Sequence, residues 1–182
     1  WANPARMWYS ADLYAQQSKN SYPIYISGLG TKFNDKATSA TDALSIEVED
    51  GAPGLGVGTG GDRRLKLGKQ RINDTLRSAL LTRAAVAGGK ASAYATKGQA
   101  QGFEDVNKAL GKHRLIKMIN VSIFGFSRGA ALARAFANHW IWDCEEDHGQ
   151  LVYEGYPIRF VMMGLYDTVA SFGLPGKNLS NA

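Results

Sequence analysis

The stretch "NVSIFGFSRGAALARAF", residues 120–136, decides the fold, because an apolar run passes into a segment with helical spacing. Only Gly-Phe-Ser-Arg-Gly stands between them. The apolar run is typical of a strand buried on both faces. After the serine, Leu132, Ala135, Phe136 and His139 recur on one side of a predicted helix. A strand that leads directly into a helix is the unit from which α/β folds are built.

Ser127 lies at the centre of a G-x-S-x-G sequence at this junction. A nucleophile elbow has this context, and its flanking positions Gly125 and Gly129 must be small because strand and helix backbones pass close together. Phe126 completes the predicted elbow. The Arg128 N–H, at the helix start, is suited to stabilise the negative oxygen of a tetrahedral intermediate. A serine in an ordinary strand-to-helix turn is the alternative interpretation.

Strands and helices alternate along the chain. Strands are predicted at Tyr22–Ser27, Leu115–Phe124 and Ile158–Leu165, and helices at Lys69–Ala87, Gln101–Leu110 and Ser127–Trp140. This order predicts an α/β fold with a mostly parallel sheet and helices on both faces, and the elbow at Ser127 is what makes the predicted fold α/β-hydrolase-like. A chain of 182 residues is long enough for one sizeable domain and too short for two. We therefore interpret residues 1–182 as part of one catalytic domain.

A serine nucleophile needs an acid and a base, which follow it in chain order in this fold. Asp167 comes directly after the apolar strand, at the end where open α/β sheets collect functional groups, and is the predicted acid. A helix N-cap is the other interpretation of Asp167. Asp143 is a second candidate acid. It lies in WDCEEDHG, which is more simply a solvated loop or a weak cation site.

The histidines do not complete the site. His113 precedes the nucleophile strand, and His139 lies twelve residues after Ser127, about 18 Å along a helix. His148 reaches the serine only if its loop folds back. We therefore expect the base beyond Ala182 and interpret the chain as an incomplete fragment.

Positive charge is concentrated in residues 61–120, which hold 13 Lys and Arg against 4 Asp and Glu. Such a segment can attract anionic lipid or nucleic acid, although a solvated basic helix face is the simpler interpretation. Arg63, Arg64 and Lys66 are the candidate lipid-facing residues. No groove-reading element or aromatic stacking pattern is present, so nucleic-acid binding is not expected.

Other sequence features exclude further classes. No apolar run approaches the ~20 residues of a membrane span, and the first residues lack the pattern of a signal peptide. Cys144 is the only cysteine, so neither an intrachain disulfide nor a cysteine-based metal cage is possible, and no cofactor or metal ligand is assigned. Gly51–Gly61 contains G-x-G-x-x-G, but the predicted strand Leu44–Val48 ends too early and the predicted helix begins too late for a phosphate-binding loop. We expect a mobile or substrate-side loop there.

Three segments carry a family resemblance. GFSRGAALARAFAN (residues 125–138) resembles the nucleophile elbow and helix of the type VI secretion lipase effectors of the Tle class, family one, an α/β-hydrolase family formerly classed as a domain of unknown function. GLYDTVASFG (residues 164–173) resembles the family's acid segment. YPIYISGLGT (residues 22–31) is similar to the strand and loop before its variable glycine-rich region.

The resemblance implies a serine esterase that hydrolyses phospholipid acyl esters, with Ser127 as nucleophile and Asp167 as triad acid. It implies a bacterial protein made in the cytoplasm without a signal peptide and secreted to act in the periplasm of a target cell. Its expected partners are the membrane surface, a secretion-apparatus carrier and an immunity protein. The family's N-terminal strand and its histidine segment are expected before Trp1 and after Ala182. The alternative is a catalytically inactive hydrolase-fold domain that binds a lipid or protein partner.

Overall fold

The computed structural model describes residues 3–18, 20–28 and 60–169. The helices are α1 (Asn3–Gln17), α2 (Gly61–Ala87), α3 (Gly89–Lys97), α4 (Phe103–Leu110) and α5 (Arg128–Trp142). The strands are β1 (Ile119–Phe126), β2 (Glu145–Asp147), β3 (Gln150–Tyr153) and β4 (Tyr156–Tyr166). Helices combined with a four-stranded mixed sheet agree with the predicted α/β class. None of these helices is both long and apolar enough to cross a bilayer.

The sheet has the order β1-β4-β3-β2, and the prediction of a mostly parallel sheet was wrong for this part of the chain. β2 pairs with β3, and β3 with β4, in antiparallel fashion. Two-residue turns join them, His148-Gly149 and Glu154-Gly155, and all four residues have positive φ. Such turns match the right-handed twist of a hairpin. The acidic segment predicted as a loop therefore contains β2.

The apolar run of β4 is not buried on both faces, contrary to the expectation from its sequence. Val161, Met162 and Met163 are all exposed. β3 has only four residues and pairs with the first part of β4, at Pro157 and Tyr156. The later part of β4 consequently has no described neighbour on that side.

The predicted strand at Tyr22–Ser27 is not present, since residues 21–28 have no regular secondary structure. Pro23 has no N–H to give to a neighbouring strand. The Ser27 carbonyl accepts a hydrogen bond from the Arg64 side chain at 2.9 Å. The segment packs instead against α1, where the rings of Trp8 and Tyr25 lie 5.6 Å apart.

Helix α2 begins at Gly61, eight residues before the predicted start at Lys69. Gly68 lies inside the helix, and the Phe136 ring leaves no room for a side chain there: a Cβ would lie 2.7 Å from the ring. A helix therefore does follow the glycine-rich segment directly. Asp62 in its first turn places negative charge where a phosphate would bind. Leu44–Val48 and residues 51–59 lie outside the described residues.

The chain forms two compact units. The first comprises Trp1–Gly68, Ser122–Trp140 and Met162–Ala182, and the second Lys69–Val121 and Ile141–Val161. In the first unit Phe136 packs against a buried cluster that consists of Leu65, Ala131, Leu132 and Ala135. In the second, the fully buried large side chains are Leu80, Val106, Leu110, Tyr153 and Ile158. Ser127 and Asp167 both belong to the first unit.

Candidate active site

Ser127 is the single residue between β1 and α5, so the predicted strand–turn–helix order is found. Its φ is 55°, in the left-handed region that residues with a Cβ rarely adopt. The Ser127 carbonyl accepts a hydrogen bond from the Ala130 N–H at 3.0 Å, which closes the first turn of the helix. The serine thus ends the strand and starts the helix with a strained backbone.

The two glycines of G-x-S-x-G have different roles. A Cβ on Gly125 would lie 2.3 Å from the Gly129 carbonyl oxygen and 2.6 Å from the Ala130 Cα, both backbone atoms of α5. Gly125 is therefore required by the close passage of strand and helix, as predicted. A Cβ on Gly129 would meet nothing within 4 Å. The steric demand predicted for Gly129 is not present, because the crowding involves its carbonyl group.

Hydrogen bonding between β1 and β4 places Ser127 opposite Asp167. The Ser127 N–H donates to the Tyr166 carbonyl at 2.8 Å. The sheet is mixed, so it contains at least one parallel pair of strands. The β2–β3 and β3–β4 pairs are antiparallel, and the parallel pair is therefore β1 and β4. In a parallel pair, an N–H that donates to one residue lies opposite the next residue of that strand. The predicted nucleophile and acid are therefore opposed in register, one residue beyond the ends of strands about 4.8 Å apart.

Backbone strain also falls on this pair. The described residues include five other than glycine with positive φ. Three of them, Arg114, His148 and Glu154, cap a short helix or form hairpin turns. The remaining two are Ser127 and Asp167, the latter at φ 48°. A left-handed φ is unlike the β-region backbone of an N-cap, which weakens the capping interpretation of Asp167.

Two more predicted site residues flank the serine. Arg128 is the first residue of α5, so its N–H lies at the positive end of the helix dipole. Phe126, the last residue of β1, is 42% exposed. An exposed ring beside a candidate nucleophile offers an apolar contact to a bound ligand.

The competing acid and base candidates have other surroundings. Asp143 forms an ion pair with the Lys69 ammonium at 2.8 Å, within the second unit. His148 occupies a hairpin turn with a 98% exposed side chain, and Asp147 lies 3.6 Å from it. His139 is on α5, about 18 Å along the helix from Ser127. Within the described ranges, no group of three or more His, Cys, Asp or Glu is placed to hold a metal ion.

Of the three basic residues predicted to face lipid, Arg64 does not. Its side chain is buried, and its guanidinium donates to the carbonyls of Ser27 at 2.9 Å and Gly60 at 3.2 Å. Arg63 is half-buried and Lys66 is exposed. Ile72, Leu76 and Leu80 of α2 are apolar and recur every four residues. The same spacing, continued towards the N-terminus of the helix, includes position 64. This periodicity would have placed Arg64 on the buried face.

The described chain is thus an α/β protein whose candidate site is a strained serine at a strand–helix turn, opposed in register to a strained aspartate. Comparisons with known proteins found no matching family model, curated protein or solved structure. The family resemblance of its motifs stays a prediction.

Proposed function

We propose that the chain carries the nucleophile and the acid of a serine esterase that hydrolyses phospholipid acyl esters. The observation that carries this proposal is the opposition of Ser127 and Asp167 at adjacent parallel strand ends, each with a left-handed backbone. Strained residues with nucleophilic or acidic side chains at the carboxyl edge of a sheet are typical of active sites.

In the proposed reaction the Ser127 Oγ attacks the ester carbonyl while a general base accepts its proton. The negative oxygen of the tetrahedral intermediate is stabilised by the Arg128 N–H at the start of α5. Collapse of the intermediate breaks the ester C–O bond, and the base returns its proton to the departing oxygen, which releases the lysophospholipid alcohol. The base then takes a proton from water, which attacks the acyl-enzyme and releases the fatty acid and the free Ser127 hydroxyl. Asp167 orients the base and stabilises its protonated form.

The proposal expects this base to be a histidine from outside residues 1–182. His139 is the single histidine in the sequence of the first unit, and it lies too far along α5. That observation favours a second candidate function, a hydrolase-fold domain without catalytic activity that binds a lipid or protein partner. The two candidates differ in whether Ser127 becomes nucleophilic when a base is supplied.

On the strength of the three motif resemblances, we further propose that the enzyme is an antibacterial type VI secretion effector. It would act on membranes in the target cell's periplasm and be neutralised in the producer by an immunity protein. Of the predicted lipid-facing residues, Arg63 and Lys66 remain candidates for attracting head groups, because Arg64 is buried.

The decisive experiment is intact-mass spectrometry of the chain treated with a fluorophosphonate, with and without added imidazole as an external base. We expect one adduct on the 19.7 kDa chain, formed faster with imidazole and absent from Ser127→Ala. Asp167→Asn should slow the labelling. Ser122→Ala, which removes an exposed serine from the same strand, is the matched control and should label normally.

An outcome without any adduct, from protein whose circular dichroism and melting match a folded chain, would contradict the esterase proposal. It would favour the non-catalytic binding domain. An adduct retained in Ser127→Ala would mean that another side chain reacts.

A further inference from the structure

The strands that carry Ser127 and Asp167 are also joined by a packing contact three residues earlier. Counting back from the opposed pair places Phe124 of β1 opposite Gly164 of β4. The side chains of opposed residues project from the same face of a sheet. The Phe124 ring therefore lies over the position where Gly164 has no side chain.

Distances at Gly164 show how closely the ring is seated. A Cβ there would lie 2.6 Å from Cδ1 and 3.1 Å from Cε1 of Phe124, and 3.3 Å from the Tyr166 ring. Gly164 does not have a left-handed φ, so its backbone conformation is open to other residues. Space for the ring is what requires glycine at this position.

We infer that Phe124 and Gly164 form a register lock that holds Ser127 opposite Asp167. An aromatic ring seated over a cross-strand glycine pins strand register. A register shift of one residue would move every side chain of β4 to the opposite face of the sheet. A shift of two residues would bring the Phe124 ring against Met162 or Tyr166, which carry large side chains. Phe124 and Gly164 are positioning residues, since they act on the site through the strands.

The lock has a consequence at the Ser127 amide. The hydrogen bond from the Ser127 N–H to the Tyr166 carbonyl forms only in the observed register. A methyl group on Gly164 must displace the ring, because a phenyl group moves as a rigid body. The displacement strains the strand pair at its carboxyl end, where this hydrogen bond closes the ladder. The inference rests on the proposed function in one respect only, namely that the register serves to hold a nucleophile opposite its acid.

The test is amide hydrogen exchange of Ser127, measured by NMR on the full 182-residue chain, because this readout needs no catalysis. We expect Gly164→Ala to speed exchange at Ser127 about tenfold, the ratio that an overpacking cost near 1.4 kcal/mol produces. Adding Phe124→Leu should slow it again, because Leu frees the space that the methyl needs. Gly102→Ala is the control: a Cβ there meets nothing within 4 Å, and Ser127 exchange should stay as in the parent chain.

Unchanged exchange in Gly164→Ala would overturn the lock, and so would a double variant that exchanges as fast as Gly164→Ala. If Gly164→Ala does not fold, Phe124→Leu alone decides: the lock predicts faster Ser127 exchange than in the parent chain, and equal exchange refutes it. Fluorophosphonate labelling of the same variants separates the two ideas. If the parent chain never labels but the variants show the expected differences in Ser127 exchange, the esterase proposal is contradicted and the register lock is supported.

Discussion

Replacing Gly125 by alanine is the sharpest test of the strand–helix junction. The new Cβ would lie 2.3 Å from the Gly129 oxygen and 2.6 Å from the Ala130 Cα. An ordinary carbon–oxygen contact is about 3.3 Å, so the start of α5 must move by about 1 Å. Neither atom can rotate aside, because both belong to the helix backbone.

Overpacking a core typically costs about 1–3 kcal/mol, and a clash with fixed backbone belongs at the upper end of that range. We therefore expect Gly125→Ala to lower the free energy of unfolding by about 3 kcal/mol and the melting temperature by roughly 6–12 °C. A shift of about 1 Å in the Arg128 N–H relative to Ser127 should also slow fluorophosphonate labelling about a hundredfold.

The motif supplies its own control in Gly129→Ala. The second glycine has open space around its Cβ position and lies in the first turn of α5. Alanine is the better helix former by about 1 kcal/mol, so this variant should be as stable as the parent chain or slightly more so. Urea unfolding followed by circular dichroism measures both variants. Equal midpoints for the two would refute the close passage of β1 and α5.

Three further predictions concern stability. Arg64→Met should lower the free energy of unfolding by about 2 kcal/mol, because it removes the side-chain donor to the Ser27 carbonyl and one of the two donors to the Gly60 carbonyl. Lys66→Met should change it by less than about 0.5 kcal/mol in the same melts. Burial raises the pKa of Tyr153 and of Tyr156 to about 12, from an ordinary value of 10. Because the folded-state pKa is raised, the stability that the protonated hydroxyl groups contribute is fully present below pH 10 and is lost as the pH rises from 10 to 12. Urea unfolding midpoints should therefore fall between pH 10 and 12, and should fall less in Tyr156→Phe. Gly155→Ala should cost about 1 kcal/mol by thermal melting, since φ at this hairpin turn is 86°, and an unchanged melting temperature would contradict the turn assignment.

Local patterns predicted the parts of the fold that neighbouring residues decide. The apolar run before Ser127 and the helical spacing after it were sufficient to place a strand, a turn and a helix, because each depends on contacts within a few residues. Prediction failed for the start of α2, which lies eight residues earlier than expected, and for the acidic segment, whose sequence indicated a loop. The acidic segment forms β2 because β3 pairs with it, and a single segment does not show its own pairing partner.

The sequence by itself determined that Ser127 stands at a strand–helix junction and that Asp167 follows a strand. Only the tertiary structure decided that these two residues are opposed in register, because pairing register depends on which strands become neighbours. It also decided which groups bind the buried Arg64 guanidinium, since they include a carbonyl from a segment 37 residues earlier. Charge and polarity are properties of single residues, whereas burial and register arise from the packing of segments that lie far apart in the chain.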